Sequence, residues 1–270
     1  MIPQAFITEW RAQAPWTENA WVEQDLIISR ALIEIFNSPG LKERLAFRGG
    51  TAIHKLYLHP AARYSEDIDL VQTNPEPIGE TFDAIRSVLD PWLGEPNRRL
   101  GEGRVSLVYR FDSEDITPIP MRLKVEINSR EHFSELGLRN LPFDVGNRWF
   151  SGHAQLTTFA LEELLGTKLR ALYQRKKGRD LFDLIHALDT GSVDCDTLLA
   201  CFLRYMNEGG HSVTRAQFEA NLAEKRSDPA FRADVSPILR SGIHWDFDTA
   251  LTSVLEQLIA KLPGDSWKGN

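Results

Sequence analysis

Two aspartates separated by a single residue, Asp67 and Asp69, stand near the end of the stretch 47–70, FRGGTAIHKLYLHPAARYSEDIDL. If residues 66–70 form a strand, alternation sends both carboxylates to one face, with Cα atoms about 6–7 Å apart. Such a pair suits Mg²⁺, a hard ion that takes oxygen ligands and leaves positions for substrate phosphates. The same stretch opens on Gly49, Gly50 and Thr51, at the start of a short helix expected over residues 52–57. Glycine lets backbone approach a phosphate, and a helix N-terminus offers unpaired N–H groups to an anion. A glycine pair alone marks a turn, and a D-x-D pair alone marks a solvated strand. Their order and close spacing together favour a site that handles a nucleotide.

Three more groups can join this chemistry. Glu126 lies in MRLKVEIN (121–128), a predicted strand whose Leu123, Val125 and Ile127 face a core. Its own face carries Arg122, Lys124 and Asn128, so it either joins the aspartates or pairs with a neighbouring cation. Asp144 is a weaker candidate for the same place. Lys168 sits on or beside the helical stripe of Leu161, Leu164, Leu165, Leu169 and Leu172, and must either reach out to water or meet an anion there. The run RKKGRDLFDL (175–184) then completes a basic cluster of Lys168, Arg170, Arg175, Lys176, Lys177 and Arg179. On the helix that follows, Asp180 borders the buried stripe and Asp183 is expected to turn further away; either can be the functional one.

The order Gly49-Gly50-Thr51, then Arg63-x-Ser65-Glu66-Asp67-Ile68-Asp69, resembles the first motif of the AbiEii/MenT group of nucleotidyltransferase toxins, within the polymerase β-like nucleotidyltransferase superfamily. Thr158-x-x-x-Glu162-x-x-x-x-x-Lys168 is similar to the group's next motif, and the basic run followed by Arg179-Asp180-x-Phe182-Asp183 to its last. Thr51 replaces the serine common in the wider superfamily but keeps the hydroxyl. The resemblance covers about residues 45–190. It implies transfer of a nucleoside monophosphate from an NTP to an acceptor, such as a tRNA 3′ end, with release of pyrophosphate. Asp67, Asp69 and Glu126 would hold Mg²⁺. Gly49, Gly50, Thr51, Ser65 and Lys168 would bind the nucleotide, and Asp180 or Asp183 would complete the catalytic set. The biological role implied is the toxin of a toxin–antitoxin or abortive-infection pair, with a cognate antitoxin as partner. Two other readings stay open: a small-molecule nucleotidyltransferase of the antibiotic-modifying type, and a nucleotide-binding regulatory module without turnover.

The elements that would position these groups define an α+β fold. Residues 1–153 are expected to form a nucleotidyltransferase lobe with N-terminal helices and a small mixed sheet. Residues 154–270 are expected to form a helical lobe completing an active-site cleft. A helix over 18–37, capped by Thr17 and stopped at Ser38-Pro39-Gly40, and a short one over 41–45 precede the glycine pair. A helix over 81–89 is expected to end at Pro91. Residues 104–111 alternate as a strand beside 121–128, and residues 129–156 read as loop-rich. Two helices span 157–188 around the basic cluster, with further helices at 197–206, 215–226 and 247–262.

The 270 residues carry a net charge of −7. That balance argues against a surface that coats nucleic acid nonspecifically, so any RNA contact is expected near residues 168–179. Cys195 and Cys201 fit neither a disulfide framework nor a zinc site and read as buried thiols. No apolar run reaches membrane-span length, and the N-terminus lacks a signal pattern, so a cytoplasmic protein is expected.

Overall fold

A computed structural model describes residues 2–101 and 103–269. The chain divides into two compact units, residues 1–159 and 160–270. The expected boundary at residue 153 falls inside a strand of the first unit.

The first unit begins with α1 (Gln4–Trp10) and α2 (Asn19–Asn37). Glu18, not Thr17, occupies the cap position of α2, without a side-chain hydrogen bond. Then come α3 (Leu41–Arg44), β1 (Leu45–Arg48), α4 (Gly49–Leu56), β2 (Asp67–Gln72) and α5 (Ile78–Leu93). Pro91 lies inside α5 and does not end it. The last turn is held by Asp90, whose carboxylate accepts from Arg86 at 2.9 Å and from the Tyr109 hydroxyl at 2.9 Å. The remaining strands are β3 (Asn97–Gly101), β4 (Arg104–Asp112), β5 (Pro120–Asn128), β6 (Arg139–Gly146) and β7 (Ser151–Thr158).

These strands form one seven-stranded sheet in the order β3-β4-β5-β2-β1-β7-β6. The pairs β1–β7 and β2–β5 are parallel and the others antiparallel, so the sheet is mixed, as expected, but larger. Much of the segment predicted as loop is the β6–β7 hairpin. Pro142, which donates no backbone hydrogen bond, is tolerated because β6 is an edge strand. The core collects on α2, where Leu26, Ile27, Ala31 and Ile35 are fully buried, and α2 packs on β5, β6 and β7. One buried polar group of α2 bears on the site: Gln24 donates to the carbonyls of Glu66 and Arg122, both at 3.0 Å, fastening the starts of β2 and β5 together.

The second unit is helical: α6 (Leu161–Gln174), α7 (Gly178–Thr190), α8 (Cys195–Glu208), α9 (Arg215–Arg226), α10 (Pro229–Ala233) and α11 (Phe247–Gln257). Gly166 lets α6 approach α8, since a Cβ there would lie 2.9 Å from the Phe202 nitrogen. Both cysteines are free thiols, Cys201 buried and Cys195 half-buried. Among the described residues no helix is long and apolar enough to cross a membrane.

Candidate active site

The register of β2 against β5 assembles the acidic face. Asp67 pairs with Lys124 and Asp69 with Glu126. Paired residues of adjacent strands project to the same side, so the three carboxylates and Lys124 share one face. The Lys124 ammonium lies 3.0 Å from Glu126 Oε2 and 3.4 Å from Asp67 Oδ2. The sequence offers Lys124 only as one of two cations, with Arg122, that Glu126 could pair with, and does not show that it also reaches Asp67. The signal that could have found it was its place one strand step from Glu126.

α4 delivers the glycine pair to the same face. Gly49 has φ +81°, a conformation glycine adopts freely. A Cβ on it would sit 2.2 Å from Asp69 Oδ2, so only a glycine lets the backbone lie this close to the carboxylate. Gly50 is buried in the first turn. Thr51 is buried too, and its hydroxyl lies 2.6 Å from the Asp67 carbonyl and 2.6 Å from the Ser65 hydroxyl. The single Thr51 proton goes to the carbonyl, which accepts only, and Ser65 donates to Thr51. Both hydroxyls therefore tie α4 to the start of β2 and set the height of Asp67.

Electrostatics mark Asp67 as the unsettled member. Burial pushes its carboxyl up to about 6; Lys124 opposes this, and Asp69 and Glu66 add to it. Burial also works against the Lys124 charge, yet Asp67, Glu126 and Asp69 outweigh it and hold the ammonium above the usual lysine range. Asp67 Oδ1 is buried without a hydrogen-bond partner. An orphaned carboxylate oxygen, beside carboxylates already holding one cation, fits a divalent ion. Among the described residues no group of three or more His, Cys, Asp or Glu side chains is placed to hold a metal ion. Mg²⁺ seldom has such a group, since it uses one or two carboxylates and fills its sphere with phosphate and water.

Within the helical unit the other predicted residues come together. The Lys168 ammonium lies 3.1 Å from Asp180 Oδ1 and 2.9 Å from Asp183 Oδ2. Arg175 grips Asp180 with two bonds, at 2.7 and 2.9 Å. Both aspartates are fully buried, so Asp183 does not turn away as expected: α7 is enclosed on that side as well, and Lys168 compensates the charge. Burial opposes the ionised form of Asp180, but Lys168 and Arg175 overcome it and hold the carboxyl below the usual range.

The rest of the basic cluster is matched as well. Lys176 pairs with Glu224 at 2.8 Å and Arg179 with Asp234 at 3.4 Å, Arg170 lies over the Tyr205 ring, and Lys177 reaches Asp234 only loosely, at 3.9 Å. The run read as a phosphate patch is thus largely neutralised by acids of its own unit. Asp144 stands on the edge strand β6, exposed, with His153 at 3.9 Å, apart from the register that groups Asp67, Asp69 and Glu126.

Fold and site fit an enzyme of the nucleotidyltransferase class, and the family match shows it. The chain matches the family described as nucleotidyl transferase AbiEii toxin, type IV toxin–antitoxin system, over residues 30–253, and it belongs to that family. Membership implies an NTP substrate and an antitoxin partner. Among solved structures it is similar to MenT4, a nucleotidyltransferase toxin of Mycobacterium tuberculosis H37Rv. The identity is 19%, the TM-score 0.72, and the match covers 97% of this chain and 91% of that one. A structure from H. pylori that also bears the nucleotidyltransferase name matches at 16% identity and TM-score 0.55, over 89% of this chain and 93% of its own. No curated protein matches the chain in sequence.

Proposed function

We propose that the protein is a Mg²⁺-dependent nucleotidyltransferase toxin that moves an NMP from an NTP to an acceptor hydroxyl, with a tRNA 3′ end as the favoured acceptor. The observation that carries this reading is the shared face of Asp67, Asp69 and Glu126, with Gly49 seated against Asp69. In the reaction the acceptor oxygen attacks the α-phosphorus and its proton passes to solvent. The bond from that phosphorus to the α–β bridging oxygen breaks, and pyrophosphate leaves.

Asp67 and Asp69 would hold the metal, with Glu126 completing the acidic set; when bound, the ion would neutralise charge on the transferring phosphate. Lys124 opposes the rise in the Asp67 pKa, pairs with Glu126, and would supply a second positive charge beside the reacting phosphates. The uncapped first turn of α4, at Gly49 and Gly50, offers N–H groups to the triphosphate. Thr51 and Ser65 act on the nucleotide through Asp67, by fixing its backbone. Lys168, Asp180 and Asp183 form the framework of the helical unit.

The test is incubation with Mg²⁺, each of the four labelled NTPs in turn and total bacterial tRNA, beside an Asp67→Ala/Asp69→Ala control. Label on tRNA with the wild type alone is the expected result and names the nucleotide. A folded, nucleotide-binding protein that labels no RNA with any NTP would sink the tRNA reading.

A further inference from the structure

An anionic acceptor needs cations, and those of residues 168–179 are largely occupied within the helical unit. The register of the sheet shows where others stand. One row runs straight across it: Asp69 beside Glu126, Glu126 beside Ser106, Ser106 beside Arg99. The next row runs Asp67, Lys124, Val108, Asn97. Flanking these rows are Arg104, opposite Asn128, and Arg110, opposite Arg122. Strand alternation therefore puts Arg99, Arg104, Arg110 and Arg122 on the face that carries the three carboxylates.

The four arginines are available. Arg99 and Arg110 are exposed, and the side chains of Arg104 and Arg122 are 69% and 57% exposed. Arg104 reaches Glu126 only at 3.8 Å and Arg122 reaches Glu66 only at 3.9 Å, loose pairs that are worth little in water. Between the arginines stand Ser106 and Val108, both short and both buried. Asp112 lies on the same face only at the far end of β4. In a chain of net charge −7, this row of cations beside a catalytic centre is a local reversal of sign. Guanidinium groups match phosphate oxygens in a bidentate way, whereas a protein partner would be read by a less regular surface.

We propose that this face is the acceptor track: a single-stranded phosphodiester chain lies across β3, β4 and β5, held by Arg99, Arg104, Arg110 and Arg122, and brings its terminal hydroxyl to the carboxylates of β2. From β3 to β2 is three strand spacings, about 14 Å. The proposal rests on the nucleotidyl-transfer reading but concerns binding, which is measured without NTP.

The test is fluorescence anisotropy with a labelled uridylate oligomer of about 12 nucleotides and its DNA counterpart, between about 50 and 200 mM salt. Wild type is compared with Arg99→Ala/Arg110→Ala and with Lys176→Ala/Lys177→Ala, after confirming equal melting temperatures. The arginine pair should weaken RNA binding at least about tenfold and lower the salt slope by about 1.4, the value for two single-strand phosphate contacts. The lysine pair should change neither. Equal weakening on DNA identifies the backbone as what is read, and weakening on RNA alone adds the 2′-hydroxyl; both support the track. Unchanged binding in the arginine variant, loss in the lysine variant, or no binding to either polymer at low salt would each overturn it. So would equally tight, arginine-dependent binding of polyglutamate, which would assign the face to an acidic protein. Arginine-dependent RNA binding with no transfer from any NTP would overturn the transfer reading instead, leaving an RNA surface.

Discussion

Gly49 and Asp69 touch so closely that residue 49 has no room for a side chain: a Cβ there would lie 2.2 Å from Oδ2 and 2.9 Å from Cγ. Gly49→Ala must therefore push Asp69 off its position and also accept a left-handed backbone. It should lower stability by about 1–2 kcal/mol and transfer by at least about 100-fold. Paired urea melts and single-turnover assays check this. A variant with unchanged activity would mean that Asp69 acts from some other position.

Asp67 sets a second expectation, with a definite sign. Its folded pKa of about 6 lies above the ordinary 3.8, so the native state holds this proton more tightly than the unfolded chain. The stability it contributes is complete below pH 3.8 and is lost as pH rises through about 6. Asp67→Asn should thus be more stable than wild type near pH 7.5 without Mg²⁺, by about 1–3 kcal/mol. The gap should narrow as pH falls toward 4, and transfer should be lost at every pH. Denaturant titrations across that range decide it.

Lys124 opposes the upward shift of Asp67, so Lys124→Met should push that carboxyl still higher. The acid limb of the pH–rate profile should move up by about one unit and the rate at its plateau should fall about 10–100-fold. Lys124→Arg, which keeps the charge, should leave the limb near its wild-type place. A plain packing role would move stability but not the limb.

The buried ions of the helical unit predict a different pattern. Removing Lys168 takes a buried cation away from both Asp180 and Asp183, so Lys168→Ala should lose about 3–5 kcal/mol. Thermal melts of the purified variant test this. Should the melting temperature stay where it was, Lys168 would not be a framework residue, and direct contact with the triphosphate would become the better assignment.

Ligand-linked stability gives a last check. Mg²⁺ with a non-hydrolysable NTP should raise the wild-type melting temperature, and Asp67→Ala/Asp69→Ala should show no shift. Chelation should return the wild type to its unliganded value.

The acidic face was legible because it obeys local rules. D-I-D alternates on β2, and the alternating apolar residues of β4 and β5 announce adjacent strands. What stayed hidden depends on distant partners. β1 is four residues at the end of α3, too short for any period, and is a strand because β2 and β7 flank it. β3 is exposed throughout and carries no apolar alternation, so only its pairing with β4 defines it. In β6 and β7 the proline and glycines mimic a loop. The burial of Asp183 follows from Lys168 on another helix, which no spacing within α7 reveals.

The parallel pairing of β1 with β7, at Phe47 and Thr158, has a consequence for how the cell makes this protein. The strand that leads into the glycine pair cannot find its second neighbour until more than half of the chain has left the ribosome. At about 5–20 residues per second, Asp67 and Asp69 wait many seconds for the sheet to close around them. A translating ribosome therefore carries an unfinished sheet, and in chains cut short before β7 the strand β1 keeps β2 as its one strand neighbour.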